Sequence, residues 1–338
     1  MTLRPKYRIL HLVNLQNTLM RYRRLGSSCL VVSEIGFGTW GIGGATEGAS
    51  SYGPTDTQES VKAIERAAEE GINFFDTATA YGQSELLLGQ TFKGSRRQRM
   101  IIATKVGIAK HHAPPDFSKT AMIASLENSL KRLQTDYIDL CQLYNPSFTD
   151  LPMEDVLGAL KQLKDRGLIR AIGASVKSPN DGLLALSFPE IEVIQTNLNM
   201  LDQRAIDNGL LEAAKQQGVG IIARTPLCFG FLTGTVTNLD FSPQDHRSEW
   251  PKKQLEAWQK GAEIFSKNNP YPNTPLSQFA LRFCLDSRGI STVIPGPLTV
   301  NEVLENSLAS KLPPLDPEVI KQIQNIYKDN GQFFVKPS

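Results

Sequence analysis

Three polar residues near the ends of two apolar segments have the types and spacing that acid catalysis requires: Asp76, Tyr81 and Lys105. Asp76 ends the segment 73–76, and Tyr81 follows it after a short gap. Lys105 lies near the end of the segment 100–106. A free phenol has a pKa near ~10 and gives up its proton poorly at neutral pH. A neighbouring ammonium, held by a carboxylate, stabilises the phenolate and makes the phenol a usable general acid for a carbonyl that accepts hydride.

A structural role is the alternative for these residues. Charged residues occur at strand ends in any α/β protein, and a pair such as Asp76 and Lys105 can simply hold two strands together. The regular series of strands and helices around the pair favours the catalytic interpretation, because such a series brings strand ends to one face of a sheet or barrel.

Composition excludes several classes of partner. The chain has 338 residues, of which 41% are hydrophobic and 21% charged, so we expect a globular protein with a sizeable core. A formal net charge of +2 gives no electrostatic reason to expect nucleic acid as a partner. The longest apolar runs are far too short to cross a bilayer, which predicts no membrane partner.

The cysteines and histidines bear on the cellular compartment and on whether a metal site is present. The four cysteines are widely spaced and include no CxxC pair. Two disulfides are possible, but a large protein with so few cysteines is more typical of the reducing cytoplasm. The four histidines show no zinc-ligand spacing, so we predict a cytoplasmic protein without a metal site.

The first 19 residues differ from the rest because they are basic and contain no acidic residue. An acid-poor basic segment can be an organelle transit peptide, although this one has little serine. The simpler interpretation is an upstream extension. We therefore predict a poorly ordered extension over 1–19 and a single domain over 20–338.

The pattern of apolar and polar residues predicts alternating strands and helices. Strands are expected at 30–38, 73–78, 100–106, 138–144, 169–175, 192–198, 219–225 and 291–295. Helices are expected at 56–70, 84–91, 118–133, 153–166, 179–186, 209–217, 252–268, 275–285, 299–309 and, as a terminal element, 317–329. Eight such units predict an α/β fold of the (β/α)8 TIM-barrel type. A doubly wound open sheet is the alternative, but no GxGxxG follows a strand to support its dinucleotide-binding form.

In a barrel of this kind the active site lies at the carboxyl ends of the strands. Polar or special residues fall at or near seven of these predicted ends: Asp76, Lys105, Tyr144, Ser175, Asn197, Arg224 and Gly296. For each residue alone, the alternative is a rim position that bonds to its own loop. Together they predict a site at this face.

Motifs throughout the domain resemble those of the aldo-keto reductases, nicotinamide-dependent enzymes with a (β/α)8 barrel. The resemblance runs from about residue 20 to residue 306 and is carried by the segments 22–26, 32–40, 71–78, 81–82, 103–105, 137–140, 172–175, 195–198, 224–227, 230–234, 293–296 and 305–306. It implies an N-terminal β-hairpin before the barrel and an oxidoreductase activity.

The resemblance also implies roles for four residues. Tyr81 would be the general acid, Lys105 the neighbour that lowers its pKa, and Asp76 the carboxylate that orients the lysine. Tyr144 stands where the family usually has a histidine, in the segment Gln142–Pro146. A phenol can still donate a hydrogen bond to a carbonyl oxygen, but it cannot carry the positive charge of an imidazolium.

The family's cofactor-binding positions fall at the later strand ends. The resemblance implies contacts with the nicotinamide, the pyrophosphate and the adenosine from Ser175, Gln195, Asn197, Arg224, Thr225, Pro226, Leu227, Gly230, Leu232, Gly296, Leu298, Glu302, Glu305 and Asn306. Family habit implies NADP(H), but Leu298 and Glu302 stand where members that bind the 2′-phosphate often have other polar or basic residues. NAD(H) therefore stays open. Leu298 could instead pack under the loop, and Glu302 could be a charge at a helix N-terminus.

The predicted function is the reduction of a small aldehyde or ketone. Aromatic side chains would line the substrate pocket, namely Trp40, Tyr52, Tyr81 and Tyr144. Two alternatives remain: an aldose dehydrogenase that runs the chemistry backward, and a cofactor-binding scaffold like the potassium-channel β-subunits, which also lack the histidine. The sequence makes no prediction of the oligomeric state.

Overall fold

A short antiparallel hairpin opens the structure, a computed structural model that describes residues 20–44, 51–110 and 113–333. Its two strands are β1 (Tyr22–Arg24) and β2 (Val31–Ser33). The resemblance implied this hairpin, and the structure confirms it. The predicted extension over 1–19 lies outside the described residues, and the domain boundary at residue 20 stays a prediction.

Eight parallel strands follow and are hydrogen-bonded in their order along the chain. They are β3 (Phe37–Gly38), β4 (Phe74–Asp76), β5 (Ile101–Val106), β6 (Ile138–Tyr144), β7 (Ile169–Ser175), β8 (Val193–Asn197), β9 (Gly220–Arg224) and β10 (Ile290–Ile294). The first and last strands meet where Gly36 N donates to Val293 O at 2.8 Å and Gly38 N donates to Pro295 O at 2.8 Å. These bonds bring the sheet round into a barrel and confirm the predicted (β/α)8 fold.

Helices surround the barrel. They are α1 (Thr57–Glu69), α2 (Ser84–Thr91), α3 (Ser95–Gln98), α4 (Lys119–Leu133), α5 (Met153–Asp165), α6 (Pro179–Ala185), α7 (Arg204–Asp207), α8 (Leu210–Gln217), α9 (Lys252–Lys267), α10 (Leu276–Asp286), α11 (Val300–Leu308) and the terminal α12 (Pro317–Asp329). Within the described ranges, every helix is too short or too polar to cross a bilayer.

Two differences from the predicted elements have local causes. The predicted strand 30–38 is divided, because residues 31–33 pair with the hairpin while residues 37–38 pair with β4. The helices α3 and α7 were not expected, because each has only 4 residues, too few to show a helical period in the sequence.

The barrel interior is a separate apolar cluster closed at its amino end by the hairpin. Its members are Leu25, Leu30, Val32, Phe74, Ala103, Leu140, Ala171, Val193, Ile222 and Ile294. Because side chains alternate across a strand, the inward position that follows each of these lies two residues further on. On the barrel strands, five of those positions are polar, namely Asp76, Lys105, Gln142, Gln195 and Arg224. The alternation of side chains along the strands therefore places a polar layer next to the apolar layer, on the side of the carboxyl ends of the strands.

A buried carboxylate fixes the hairpin to the end of the barrel. Glu34 is 3% exposed and is reached by three guanidinium groups: Arg23 at 2.5 Å, Arg21 at 3.1 Å and Arg282 at 3.4 Å. Burial disfavours ionisation of Glu34, but the charges of Arg23 and Arg282 outweigh it, so the pKa of this carboxyl lies below its usual value.

We expect Glu34→Gln to lower the free energy of unfolding at pH 7 by about 1.5–3 kcal/mol, because it removes charge-assisted hydrogen bonds. Since the folded pKa is lowered, the contribution of Glu34 is complete above the unfolded value of ~4.3 and is lost as the pH falls through the folded pKa. Urea unfolding at several pH values should therefore show that the difference in free energy of unfolding between the parent and Glu34→Gln becomes smaller at acidic pH. The exposed Glu263→Gln is the control, and equal urea midpoints for parent and Glu34→Gln at pH 7 would contradict the assignment.

Candidate active site

A buried ion pair lies at the centre of the polar layer. The Nζ of Lys105 lies 2.5 Å from Oδ1 of Asp76, and both side chains are buried. The same ammonium donates to the carbonyl oxygen of Thr77 at 2.9 Å. The pairing follows from the register, because Asp76 lies opposite Ala103 and Lys105 is the next inward residue on β5. The structure thus brings together Asp76 and Lys105, which the sequence placed at the ends of two separate strands.

The second oxygen of Asp76 is bound by two glutamine side chains. Nε2 of Gln142 donates to Oδ2 at 2.9 Å, and Nε2 of Gln195 donates to the same oxygen at 2.7 Å. Gln195 is held in turn by Ser175, whose Oγ donates to Oε1 of Gln195 at 3.1 Å. The carboxylate is therefore bonded on both oxygens, which fixes its position and that of the lysine.

Tyr81 lies in the loop between β4 and α2, with its ring beside the ammonium. Nζ of Lys105 lies 4.7 Å from the ring centroid, a cation–π contact. The ring of Tyr144 meets it edge to face, with centroids 6.1 Å apart and planes at 88°. Gly43 permits this arrangement, because a Cβ at that position would lie 2.1 Å from the carbonyl oxygen of Tyr81.

Burial dominates the electrostatics of the two phenols. It raises the pKa of Tyr81 above its usual value, the negative charge of Asp76 adds to the rise, and a hydrogen bond from Tyr144 and the charge of Arg224 oppose it. Burial likewise raises the pKa of Tyr144, against the charge of Lys105. The sequence predicted a lowered pKa for Tyr81. In the structure the ammonium of Lys105 lies over the ring face of Tyr81 and is bonded to Asp76, so its effect on the pKa of Tyr81 stays a prediction.

A cavity of about 460 Å³ opens in front of Tyr81 at the carboxyl ends of the strands. Most residues predicted for the site line it: Trp40, Tyr52, Asp76, Tyr81, Tyr144, Gln195, Arg224, Thr225, Pro226, Leu227, Gly230, Gly296, Leu298, Glu302, Glu305 and Asn306. A volume of this size is typical of a small-molecule site. The predicted substrate and cofactor positions therefore share one space.

Four predicted residues do not line the cavity. Lys105 and Ser175 lie behind it and act on Asp76 and Gln195. Asn197 accepts a hydrogen bond from Oγ1 of Thr225 at 3.1 Å. Leu232 is fully buried in the core. Its prediction as a cofactor contact is wrong for the side chain, because that chain packs beneath the loop.

The loop after β9 carries unusual backbone conformations along one wall of the cavity. Thr225 (φ 57°), Cys228 (φ 45°) and Phe229 (φ 54°) are non-glycine residues in the left-handed region, followed by Gly230 (φ 92°). Such conformations cost of order 1–3 kcal/mol each for a non-glycine residue and cluster at ligand sites. The loop is therefore held in shape by its surroundings.

Arg224 ends β9 with an uncompensated charge. Its Nη2 donates to the carbonyl oxygen of Val176 at 2.9 Å, whereas its buried Nε has no hydrogen-bond partner. Across the described ranges it has no carboxylate within ion-pair distance. A guanidinium with an unused donor, beside a cavity, suits a ligand with acceptor groups or a planar ring.

Glu302 is both a helix cap and a wall of the cavity. Thr299 and Glu302 form a capping box at the start of α11, in which Oε2 of Glu302 accepts from Leu298 N at 2.6 Å. Glu302 is therefore a charge at a helix N-terminus, which was one alternative from the sequence. Leu298 and Glu302 also face the cavity, and their contact with a cofactor stays a prediction. The carboxylate of Glu305 accepts a short hydrogen bond from Ser277.

Sequence reasoning assigned no role to Gln142 or Arg247. Gln142 has a signal in the sequence, since it stands two residues before Tyr144 and so faces the same side of β6. Arg247 lines the cavity, pairs with Asp245 at 2.6 Å and donates to the carbonyl oxygen of Phe229 at 3.2 Å. It lies in the long loop before α9, where no periodic pattern marks it.

Comparisons with known proteins agree with this geometry. The profile of the Aldo/keto reductase family matches residues 34–328. The NADH-specific methylglyoxal reductase of Escherichia coli is 32% identical over 307 residues, covering 84% of this chain and 92% of that protein. Among solved structures, the holo form of aldo-keto reductase AKR11C1 from Bacillus halodurans has a TM-score of 0.75 at 30% identity, covering 91% and 96% of the two chains. The glycerol dehydrogenase AKR11B4 from Gluconobacter oxydans has a TM-score of 0.77 at 27% identity, covering 94% and 98%.

Proposed function

This chain belongs to the aldo/keto reductase family, and on that premise we propose that it reduces a small aldehyde or ketone to an alcohol, with Tyr81 as the general acid. The observation that carries the proposal is the phenol of Tyr81 facing the cavity with the buried pair of Lys105 and Asp76 behind it. The coarser assignment, an oxidoreductase of carbonyl or alcohol groups, follows from the family.

The cavity fits a nicotinamide nucleotide by its unused polar groups. At one end, Nε of Arg224 is buried without a partner. At the other, the carboxamide of Asn306 lines the cavity and has no hydrogen bond within the described part of the chain. Arg224, Thr225 and Gly230 would hold the cofactor along the loop after β9, and Gly296 and Asn306 would hold its adenosine. The bound cofactor would supply hydride to the substrate carbonyl.

The chain's own residues would supply the proton and the orientation. When hydride reaches the carbonyl carbon, the oxygen becomes an alkoxide, whose conjugate acid is about as weak as water (pKa about 15.7). The hydroxyl of Tyr81 can protonate it even with a raised pKa, because the phenol is still the stronger acid. Tyr144 would hold the substrate oxygen or the Tyr81 phenolate by a neutral hydrogen bond. Asp76 holds Lys105 against the ring of Tyr81.

We place reduction first and aldose oxidation second. Reduction needs a protonated Tyr81, and a buried phenol is protonated at neutral pH. The relatives' names cover both directions, a methylglyoxal reductase and a glycerol dehydrogenase.

NAD(H) is the proposed cofactor, and the cytoplasm the proposed location. The resemblance implied NADP(H), but the carboxylate of Glu302 faces the cavity at the start of α11 and would repel a 2′-phosphate. The relative from E. coli is named as NADH-specific. The four cysteines are free thiols, which suits a reducing compartment.

The proposal is tested by measuring cofactor oxidation with the full chain over a panel of small aldehydes, ketones and sugar carbonyls, with NADH and NADPH compared at each substrate. We expect turnover with at least one small carbonyl and a preference for NADH. Binding of cofactor without turnover of any member of the panel would favour the scaffold alternative instead.

A second test uses the substitution Tyr144→His. The parent should show a rate of reduction that is flat between about pH 6 and about pH 9, because burial raises the pKa of both phenols above ~10. The imidazole titrates near ~6.5, so the variant should gain an inflection in that region. The measurement is kcat/KM against pH for both enzymes. Superimposable profiles and equal substrate preferences would show that Tyr144 takes no part in the reaction.

A further inference from the structure

Arg224 belongs to the polar layer at the carboxyl ends of the strands. It ends β9 at the inward position two residues after Ile222, which is part of the apolar layer of the barrel interior. Asp76 and Lys105 hold the corresponding positions on β4 and β5 and form an ion pair. The guanidinium of Arg224 therefore shares a layer with the ion pair behind Tyr81, and both Arg224 and Tyr81 line the cavity.

The charges of this layer do not cancel. The ammonium of Lys105 is neutralised by Asp76, whereas the guanidinium of Arg224 donates to a backbone carbonyl oxygen and has a buried Nε without a hydrogen-bond partner. Tyr81 and Tyr144 are uncharged at neutral pH, because burial raises the pKa of both phenols. The layer therefore carries the positive charge of Arg224 without an opposite charge.

The other charged side chains of the cavity wall have partners of their own. Arg247 pairs with Asp245 at 2.6 Å. Glu302 accepts hydrogen bonds at the start of α11, and Glu305 accepts one from Ser277. Among the described residues that line the cavity, the remaining cation is therefore the one that ends β9, and it has no carboxylate within ion-pair distance.

A nicotinamide ring changes its charge during the reaction. The reduced ring is neutral, and the loss of hydride to the substrate carbonyl leaves the oxidised ring with a positive charge. The ring must lie against a substrate whose oxygen reaches the hydroxyl of Tyr81. Burial raises the pKa of Tyr81 and the charge of Arg224 opposes the rise, so the guanidinium lies within electrostatic range of the reacting atoms.

We propose that Arg224 is a specificity-determining residue that makes this cavity bind the reduced nicotinamide cofactor more tightly than the oxidised one. A positive charge in a partly buried layer repels the oxidised ring and leaves the neutral ring unaffected. In a reductase, the oxidised cofactor then leaves readily after each turnover, and the cavity is open to the reduced form. The inference rests on the proposed function, since it concerns the cofactor of that same site.

The test removes the charge in one variant and keeps it in another. Arg224→Gln is neutral and retains an amide donor, whereas Arg224→Lys keeps the positive charge without the planar guanidinium. Arg99→Gln is the control, because it removes the same charge from an exposed side chain just before β5, at the amino ends of the strands. Calorimetry would measure the affinities of the full chain for NADH and NAD⁺, and for NADPH and NADP⁺.

We expect the parent to bind NADH at least about tenfold more tightly than NAD⁺, as like charges in a partly buried site require. Arg224→Gln should narrow that ratio by about tenfold through tighter binding of the oxidised form. Arg224→Lys and Arg99→Gln should retain most of the ratio. NADPH and NADP⁺ should show the same changes, because the two members of each pair differ in the nicotinamide ring alone.

Several results would overturn the role of Arg224 and leave the reductase proposal in place. Equal affinities of the parent for the two forms would do so without any variant, as would an unchanged ratio in Arg224→Gln. Equal narrowing in Arg224→Gln and Arg224→Lys would show a structural role instead. The same loss of affinity for both forms would assign the guanidinium to the phosphate groups of the cofactor. A parent that binds neither form of either cofactor would overturn both proposals.

Discussion

Replacing Tyr81 with phenylalanine should lower kcat for carbonyl reduction by roughly 100- to 10,000-fold, the range typical for loss of a positioned general acid. Only the hydroxyl is deleted. The ring can keep its cation–π contact with Lys105 at 4.7 Å and its edge contact with Tyr144, so the wall of the cavity and the affinity for the cofactor should change little. Single-turnover kinetics and cofactor titration by fluorescence would measure the two quantities separately.

Tyr271→Phe is the control for this experiment. It deletes a hydroxyl that donates to the carbonyl oxygen of Pro313 at 2.7 Å, outside the cavity, and should leave turnover unchanged. If Tyr81→Phe retains more than about a tenth of the parent kcat under conditions where chemistry limits turnover, Tyr81 is not the acid.

Replacing Lys105 with methionine should lower the free energy of unfolding by about 3–5 kcal/mol, the cost of leaving a buried charge without its partner. Asp76 would keep the hydrogen bonds from Gln142 and Gln195 on one oxygen but would lose the ammonium on the other. Urea unfolding at pH 7 gives the change in stability. Turnover should fall as well, because the group that holds the ring of Tyr81 is gone.

The double variant Asp76→Asn with Lys105→Met separates the two effects. Removing both charges leaves no unpaired buried ion, so most of the lost stability should return. Turnover should stay low, because the ion pair behind Tyr81 is still missing. A single variant Lys105→Met that unfolds within about 1 kcal/mol of the parent would show that the pair is far less buried in solution than its geometry implies.

The general position of the site could be predicted from the sequence. Strand periodicity gives the strand ends, and the active site of such a barrel lies at the carboxyl ends of its strands. The strands predicted at 138–144 and 169–175 are the observed β6 and β7, and the helix predicted to begin at 56 is α1, which Asp56 caps. Polar residues at the ends of apolar strands must meet at one face of a closed parallel barrel, because all eight strands point the same way. Sixteen of the residues named from the sequence therefore line one cavity.

Only the tertiary structure decided which of these residues are bonded to which. From the sequence, the ammonium of Lys105 could bond to the carboxylate of Asp76 or to the hydroxyl of Tyr81. In the structure it bonds to Asp76, because a buried ion needs an opposite charge more than a neutral partner. The tertiary structure also places the side chain of Leu232 in the core rather than in the cavity. The sequence of a loop does not indicate which of its side chains point into the core. The carboxylate of Glu59 accepts a hydrogen bond from Val300 N only because α1 and α11 are neighbours around the barrel. Such contacts join residues that are distant in sequence, and no local pattern of apolar and polar residues encodes them.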